Sequence, residues 1–274
     1  DLMRQGNRVA IPCNSKSQAD VIHEHLRQSH PNTRILKYTS DSSQEQVRKV
    51  GMCNTEWIQF DVVIYTPTVG AGVDFSPPEP HFDAIMVWGV SSSNPARELV
   101  QMIGRVRQVK TNTVYLYLEQ DRDSDNIQCT REYTEGKLVS RLRELQDIAV
   151  VGPMVAMLLA MCKPAELDMR FLEPVYWELL IQNTLEVKKS QFMFKSLVCA
   201  TLREQGGSVE RSTTGKSLSP EDRSQSKSEI KRTAQTVAEN ESARFAEAFS
   251  TDSAVTGGDN AKRMERKAQT IGIY

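Results

Sequence analysis

The chain has 274 residues, enough for one well-cored domain and a smaller unit, and its 34 Lys and Arg residues nearly balance 35 Asp and Glu residues. A formal charge of −1 excludes a global basic field, so any nucleic-acid-binding surface must be local. The five cysteines are far apart in sequence, which argues against a disulfide framework or a zinc site and favours an intracellular, reducing compartment.

The first part of the chain alternates short apolar runs with helical patterns. It opens at Asp1 and enters an apolar run almost at once, so we expect a piece of a longer product. The runs predict strands at 8–13, 34–38, 61–65, 84–90 and 114–118, with helices after residue 15, at 42–50 and at 95–107. This alternation predicts an α/β fold, a parallel sheet with helices on both faces. Ligands then bind beyond the strand ends, at the loops after Tyr65 and Val90.

The second part of the chain reads as helical and then as polar. Helical segments are predicted near 135–145, 155–161 and 174–185, and the apolar run from Ile148 to Cys162 is too short to span a bilayer. Beyond residue 205 large apolar side chains are sparse, which predicts a largely disordered tail with one possible helix at 220–249. We therefore expect three regions, 1–120, 121–203 and 204–274.

The segment Asp61–Phe75 carries the first cluster of candidate functional residues. A buried strand leads into a loop that contains hydroxyls, glycines and a carboxylate, namely Thr66, Thr68, Gly70, Gly72 and Asp74. Glycine lets the backbone approach a phosphate closely, and a carboxylate can bind a ribose or orient an arginine. Taken alone, an ordinary strand-to-loop turn explains these residues equally well.

The second cluster lies on the predicted helix that follows Asn94. Asn94 suits the N-cap and Pro95 the first helical position. Apolar residues at helical spacing predict a buried stripe, and the opposite face carries Arg97, Gln101, Arg105 and Gln108. An ordinary solvated basic face is the alternative. Gly104 argues against it, because a glycine within a helix costs about 1 kcal/mol and calls for a packing or close-approach reason.

The order and spacing of the two clusters resemble motifs V and VI of superfamily 2 helicases. Thr66, Gly72 and Asp74 match the first motif, and Gln101, Gly104 and Arg105 match the frame Q-x-x-G-R-x-x-R of the second. The wording of 65–75 and of 104–107 looks most like the herpesvirus-type replication origin-binding helicases. The resemblance covers roughly residues 8–119 and implies the RecA-like second lobe of such an enzyme.

The resemblance implies a role for each matched residue. Arg105 would be an arginine finger that stabilises charge on the γ-phosphate of ATP. The frame expects its last arginine where Gln108 stands, so Arg107, one residue earlier, is the second candidate: either the helix ends near residue 106 and lets Arg107 swing round, or Arg105 acts alone. The remaining roles are nucleotide binding by Gly72, Asp74, Gln101 and Gly104, and nucleic-acid phosphate binding by Thr66 and Thr68.

The sequence lacks the phosphate loop and the metal-holding acidic motif of these enzymes. In that family both belong to the N-terminal RecA-like lobe, which would hold most of the Mg²⁺ coordination and complete the ATP site. The expected partners are that lobe and nucleic acid, DNA rather than RNA, in the nucleus rather than the cytoplasm and without a membrane. Two alternatives remain: a non-enzymatic nucleic-acid-binding or scaffold protein derived from such a lobe, and an unrelated domain that binds a nucleotide or sugar.

Several aromatic and histidine residues have simpler interpretations. Phe82 and Trp88 flank or occupy a strand and are expected in the core. Tyr115 and Tyr117 alternate with aliphatic residues, which indicates a half-buried strand rather than a base-stacking platform. His23 and His25 are two residues apart on a predicted helix, where their side chains do not converge on a metal.

Overall fold

The computed structural model describes residues 2–70, 72–121, 129–146, 174–211 and 220–251. The strands are β1 (Val9–Pro12), β2 (Ile35–Tyr38), β3 (Val62–Tyr65), β4 (Ala84–Gly89) and β5 (Val114–Leu118). The α-helices are α1 (Lys16–Ser29), α2 (Gln44–Lys49), α3 (Cys53–Glu56), α4 (Ala96–Ile103), α5 (Arg131–Gln146), α6 (Pro174–Phe192), α7 (Phe194–Glu204) and α8 (Pro220–Thr251). Short 3₁₀ turns occupy Met3–Gln5, Val50–Met52 and Trp57–Gln59.

The five strands form one parallel sheet in the order β2-β3-β1-β4-β5. Val9 of β1 pairs with Val62 of β3 on one side and with Ala84 of β4 on the other. The central strands β1 and β3 are buried along their whole length, as strands covered on both faces must be. The prediction of a parallel α/β sheet is confirmed, and each strand lies within one or two residues of its expected bounds.

One face of the sheet supports the main hydrophobic cluster. Alternate strand residues such as Ala10, Val63 and Val87 point into it, and α4 contributes Leu99. At Gly89 the packing is so close that an added Cβ would lie 2.6 Å from Leu99 Cδ2. The same Cβ would lie 2.8 Å from Leu118 Cδ2 and 3.0 Å from Phe194 Cε1. Gly89 therefore lets two helices approach the end of β4.

Helix α7 belongs to this cluster although it lies in the predicted accessory region. Phe194 and Val198 are fully buried within the cluster. Asp121, just beyond β5, accepts hydrogen bonds from the backbone N–H groups of Lys195 and Ser196 at 2.8 and 3.2 Å. This carboxylate satisfies N–H groups that have no partner within the first turn of a helix. The proposed boundary between residues 120 and 121 stays a prediction.

The chain divides into two compact units, Asp1–Ala19 with His30–Ser212, and Asp20–Ser29 with Thr213–Tyr274. In the second unit, α8 covers the segment 220–249 where one possible helix was expected, and Thr233 of this helix is buried. The helix predicted at 155–161 and most of the remaining tail lie outside the described residues. No helix in the described ranges has the length and hydropathy needed to cross a membrane.

The aromatic predictions have mixed outcomes. Phe82 is fully buried, as expected. Trp88 is only half-buried and packs against Tyr117 of the edge strand, with ring centroids 4.1 Å apart, so its placement in the core was wrong. The physical reason is that β5 lies at the end of the sheet, where Tyr115 and Tyr117 remain 44% and 60% exposed and leave Trp88 partly uncovered.

Candidate functional site

The two candidate clusters meet in space through a short piece of parallel backbone pairing. Phe75 and Val106 form an isolated bridge. The Phe75 N–H donates to the Arg105 carbonyl at 2.8 Å, and the Arg107 N–H donates to the Phe75 carbonyl at 3.0 Å. Residues separated by about thirty positions in sequence are thereby held next to one another, with Asp74 on one backbone segment and the two arginines on the other.

This pairing corrects the prediction for the second cluster. The helix was expected to run from 95 to about 107, but α4 ends at Ile103 with Gly104 as its C-cap. Residues beyond Gly104 turn away to pair with Phe75, and Val106 is buried in the main hydrophobic cluster as expected, although it lies outside the helix. Periodicity could not reveal this, because the competing backbone partner is distant in sequence.

The beginning of α4 also differs from the prediction. Pro95 occupies the N-cap position with an extended backbone, and no side chain within the first turn caps the helix. Asn94 was expected at that position. Its amide instead donates to the Glu98 carboxylate and does not accept from a backbone N–H. An extended residue at Pro95 places Asn94 one residue too early to act as the N-cap.

Arg107 lies beside Asp74 at the edge of the site. Its Nε donates to Asp74 Oδ1 at 2.9 Å, and both side chains are about half exposed. The helix ends early enough for Arg107 to turn toward the glycine-containing loop, so it does not point away as it would on a continuous helix. Asp74 therefore holds an arginine, while its contact with a ribose stays a prediction.

Arg105 is more buried than Arg107 and less completely paired. Its Nη1 approaches the Val73 carbonyl at 3.5 Å, the outer limit of a hydrogen bond. Its Nε is buried and has no hydrogen-bond partner among the described residues. A buried donor on a charged group without a partner is costly, typically about 1–3 kcal/mol or more. Arg105 is thus a cation with unused donor capacity at the point where the two clusters meet.

Tyr65 supports the end of the helix that leads to Arg105. Its hydroxyl donates to the Met102 carbonyl at 2.9 Å, which satisfies one of the carbonyls left free in the last turn. Burial raises the pKa of Tyr65 well above its ordinary value, and the nearby Arg105 charge acts in the opposite direction. The neutral hydroxyl therefore remains a hydrogen-bond donor at any physiological pH. The sequence carried no signal for this contact, because Tyr65 reads only as a strand residue.

The two candidate glycines have different roles. Gly72 has φ of +90°, a conformation that side chains rarely adopt, and nothing lies within 4 Å of an added Cβ. Gly104 has helical φ and ψ, and an added Cβ would meet only the Gln101 and Val100 carbonyls at 3.6 and 3.7 Å. These are ordinary van der Waals contacts. The expectation that close packing requires a glycine at position 104 is therefore wrong for the described part of the chain. Gln101 is exposed on the last turns of α4.

The candidate hydroxyls sit at the end of β3. Thr66 is 3% exposed, and its hydroxyl donates to the Tyr38 carbonyl of the neighbouring strand at 3.2 Å. Thr68 is partly exposed, with its Oγ1 3.2 Å from that of Thr66. The structure therefore brings both threonines to the same sheet edge, with Thr68 the more accessible. Their contact with nucleic-acid phosphates stays a prediction.

Asn14 is a structural residue of this edge that the sequence interpretation missed. It is 2% exposed and lies two residues after the end of β1. Its Nδ2 donates to the Val90 carbonyl at 2.9 Å, and its Oδ1 accepts from the Val90 N–H at the same distance. This paired bond joins the ends of β1 and β4 and fixes the loop that leads to α4. The signal available in the sequence was an amide side chain immediately after the apolar run at 8–13.

The titratable groups around the site give no indication of a metal centre. Among the residues that the structure describes, no three His, Cys, Asp or Glu side chains are grouped closely enough to hold a metal ion. Cys53 is buried near the site, where its thiol donates to the Asp74 carbonyl at 3.4 Å. Burial raises the pKa of this thiol, which keeps it protonated and unreactive.

Comparison with known proteins finds similarity between this region and viral replication proteins. A family model described as "Origin of replication binding protein" matches residues 1–130. A replication origin-binding protein of human herpesvirus 7 (strain JI) is 33% identical over 119 residues, and that of human herpesvirus 6A (strain Uganda-1102) is 30% identical over 122. A putative helicase/primase complex protein of African swine fever virus (isolate Pig/Kenya/KEN-50/1950) is 28% identical over 116 residues. The family model agrees with the origin-binding part of the resemblance drawn from the motifs.

These matches cover only part of each protein. They include 41% to 43% of this chain, and the chain spans only 11% to 14% of the relatives' length. Among solved structures, domain 2 of the Mss116p DEAD-box helicase bound to an RNA duplex is 16% identical. That similarity covers 52% of this chain and 65% of the other, with a TM-score of 0.31.

Proposed function

We propose that this chain is the C-terminal lobe of an ATP-dependent helicase or translocase of the replication origin-binding type. The observation that carries the proposal is the pairing of Phe75 with Val106, which brings the glycine-containing loop and two arginines into one site. The family-model match over residues 1–130 supports the origin-binding type. The lobe completes an ATP site whose phosphate loop belongs to a preceding N-terminal RecA-like lobe.

The residues present suit a nucleotide phosphate. The Nε of Arg105 is buried without a hydrogen-bond partner in the described part of the chain. A guanidinium with an unused donor can form a charge-assisted hydrogen bond to an anion such as phosphate. Gly72 leaves open space beside the backbone, and the side chain of Gln101 is exposed to solvent. In this proposal Arg105 stabilises charge on the γ-phosphate, whereas Asp74 holds Arg107 and contacts the ribose. Mg²⁺ is held mainly by the other lobe.

Nucleic acid is the second partner in the proposal. Thr66 and Thr68 lie at the carboxyl edge of the parallel sheet, where ligands of such sheets bind. Thr68 presents its hydroxyl to a backbone phosphate, and Thr66 supports it from the buried position beside Tyr38. DNA is favoured over RNA because the relatives are named for replication origins. Closure of the two lobes on ATP, and reopening after hydrolysis, would move the strand. The protein would act in the nucleus.

A non-enzymatic nucleic-acid-binding or scaffold protein is the second candidate. Two observations favour it: Gln108 stands where the motif expects an arginine, and Arg107 is already paired with Asp74. In that case the lobe would keep its fold and its nucleic-acid surface while losing transition-state stabilisation. The two candidates differ in one measurable property, the hydrolysis of ATP.

Single-turnover ATP hydrolysis by the complete protein distinguishes them. We expect Arg105→Ala to slow hydrolysis by at least about a hundredfold, since an arginine finger contributes roughly 10³ to 10⁵ in rate. Arg107→Ala should have a smaller effect, because Arg107 neutralises Asp74 and is not the principal finger. Arg203→Ala removes an exposed guanidinium on α7 and serves as the matched control.

The outcomes separate the hypotheses clearly. Unchanged hydrolysis in both Arg105→Ala and Arg107→Ala would show that the finger assignment is wrong. A wild-type protein that binds DNA but does not hydrolyse ATP, with DNA present or absent, would favour the scaffold instead. Equal losses in Arg203→Ala and Arg105→Ala would point to a general effect of removing positive charge.

A further inference from the structure

The N-terminus of α4 receives its hydrogen-bond cap from a distant helix. Pro95, the residue before the first turn, has no side-chain acceptor, and no local side chain replaces it. The Ala96 N–H instead donates to Ser190 Oγ of α6 at 2.6 Å. Ala96 and Ser190 are each only 3% exposed. A buried hydrogen bond thus joins two helices across 94 positions in the chain.

A second contact between the same helices is weaker. Arg97 and Glu186 form an ion pair at 3.3 Å, one helical turn before Ser190 on α6. Their side chains are 61% and 42% exposed, and exposed ion pairs contribute little because water and salt screen them. Loss of the Ser190 hydroxyl would instead leave the Ala96 N–H buried without a partner. Of these two contacts, the hydrogen bond to Ser190 is therefore the one whose loss destabilises the attachment of α6 to α4 more.

The opposite end of α4 leads directly into the candidate site. The helix has only eight residues and a length of about 12 Å, so its two ends lie close together. Its last residue, Ile103, precedes Arg105 by two positions. Tyr65 holds the C-terminal turn through the Met102 carbonyl, and Ser190 holds the N-terminal turn. The two attachments hold the helix axis at both ends, and the pairing with Phe75 holds the Arg105 backbone that follows it.

We propose that Ser190 is a positioning residue for ATP hydrolysis, which acts through α4 to hold Arg105 in its working place. This inference rests on the function proposed above and extends it to a helix outside the matched residues 1–130. Helix α7, which follows α6 after one residue, strengthens the connection because Phe194 is fully buried in the cluster that contains Leu99 of α4. The predicted accessory helices are thereby part of the arginine's support.

The test compares Ser190→Ala with Ser190→Thr in the complete protein. Ser190→Ala should lower kcat for ATP hydrolysis about fivefold. This is the rate change expected if the free energy of one lost helix cap is added to the activation free energy. KM for ATP should change little, because most nucleotide contacts belong to the phosphate-loop lobe. Ser190→Thr keeps the hydroxyl and should restore most of kcat. Hydrogen exchange of the amides in residues 96–103 should rise about fivefold in Ser190→Ala only.

Two control variants on α6 separate positioning from stability. Thr184→Ala removes a hydroxyl that donates to the Leu180 carbonyl within the same helix and should leave kcat unchanged. Ile181→Val removes a methyl group from a fully buried side chain and lowers the melting temperature without removing the cap. If Ile181→Val lowers kcat as much as Ser190→Ala at an equal loss of melting temperature, the role is structural and the proposal is overturned.

The remaining outcomes are also decisive. An active wild-type protein with unchanged kcat in Ser190→Ala overturns the role of Ser190 and leaves the proposed function intact. Failure of Ser190→Thr to restore kcat, with its exchange restored, likewise overturns it. A wild-type protein without ATP hydrolysis overturns both the proposed function and the role of Ser190 in it.

Discussion

Several single residues of this protein join two elements by a hydrogen bond from the side chain to a distant backbone group. Tyr65 is predicted as a strand residue and Asn14 as the residue after a strand, yet each bonds to a backbone group more than thirty positions away. Such bonds matter because a buried polar group without a partner costs about 1–3 kcal/mol. In the described ranges three buried side-chain atoms have no partner, namely Tyr38 OH, Trp57 Nε1 and Arg105 Nε, and of these only Arg105 carries a charge.

Replacement of Tyr65 by Phe tests the support of the arginine-bearing segment. The variant keeps the ring, which stacks on Trp57 at 5.4 Å, and removes only the hydroxyl that reaches Met102. We expect a loss of about 1 kcal/mol in the free energy of unfolding, measured by urea denaturation. Tyr117→Phe, on a side chain that is 60% exposed, is the control and should change stability by less than about 0.5 kcal/mol. Equal losses in the two variants would contradict the assignment.

At the scale of elements, the position of α4 results from contacts at three places. Gly89 permits the close approach of α4 to the sheet. Ser190 caps the beginning of the helix, and pairing with Phe75 sets the direction of the chain after Ile103. The sequence predicted a helix here with the correct apolar face, and Leu99 and Ile103 are indeed buried. Its ends were wrong because both are decided by residues from other elements.

Replacement of Gly89 by Ala tests the close approach of α4 and α7. The new Cβ would lie within 3.0 Å of three side chains, so the helices must shift, at a cost of about 1–3 kcal/mol in the free energy of unfolding. Gly136→Ala, within α5 and with open space around an added Cβ, should instead stabilise the chain by up to about 1 kcal/mol. Chemical denaturation of both variants checks the contrast. A neutral Gly89→Ala would show that the packing is looser than described.

At the scale of the whole molecule, a polar network joins the amino ends of the strands, and its His81 ring also contacts Phe75 edge-on. His81 is 8% exposed, with Nε2 2.9 Å from the Phe60 carbonyl and Nδ1 3.4 Å from Arg8 Nη1. Arg8 also donates its backbone N–H to Asp83, which pairs with Lys110 at 3.1 Å. The bonds to Phe60 and Arg8 require a neutral imidazole, with Nε2 as the donor and Nδ1 as the acceptor.

The free energy of unfolding should therefore fall as the pH drops below neutrality. Burial lowers the pKa of His81, and the charges of Arg8 and Lys110 lower it further against the effects of the Phe60 carbonyl and Asp61. The unfolded histidine takes up its proton first, near pH 6.5, so stability present above that pH is lost as the pH falls toward the folded pKa. His81→Gln keeps a donor and an acceptor without titrating, and should flatten the profile.

Urea denaturation of wild type and His81→Gln between pH 7.5 and 5.5 measures this effect. The lowered pKa values of Asp61 and Asp83 contribute at lower pH, since both carboxylates stay charged throughout this window. His23, His25 and His30 are present in both variants, so their contributions cancel in the comparison. Parallel pH profiles for the two proteins would rule out His81 as the group responsible.

The sequence by itself determined the strands, the parallel sheet and the two clusters that contain the candidate site. These features follow from local patterns, because runs of apolar residues and turn-forming glycines act over a few positions. Only the tertiary structure decided that α4 ends at Ile103, that Arg107 pairs with Asp74 and that Ser190 caps Ala96. Each of these depends on a partner thirty or more positions away, and hydrogen-bond satisfaction between distant segments leaves no periodic trace in the sequence.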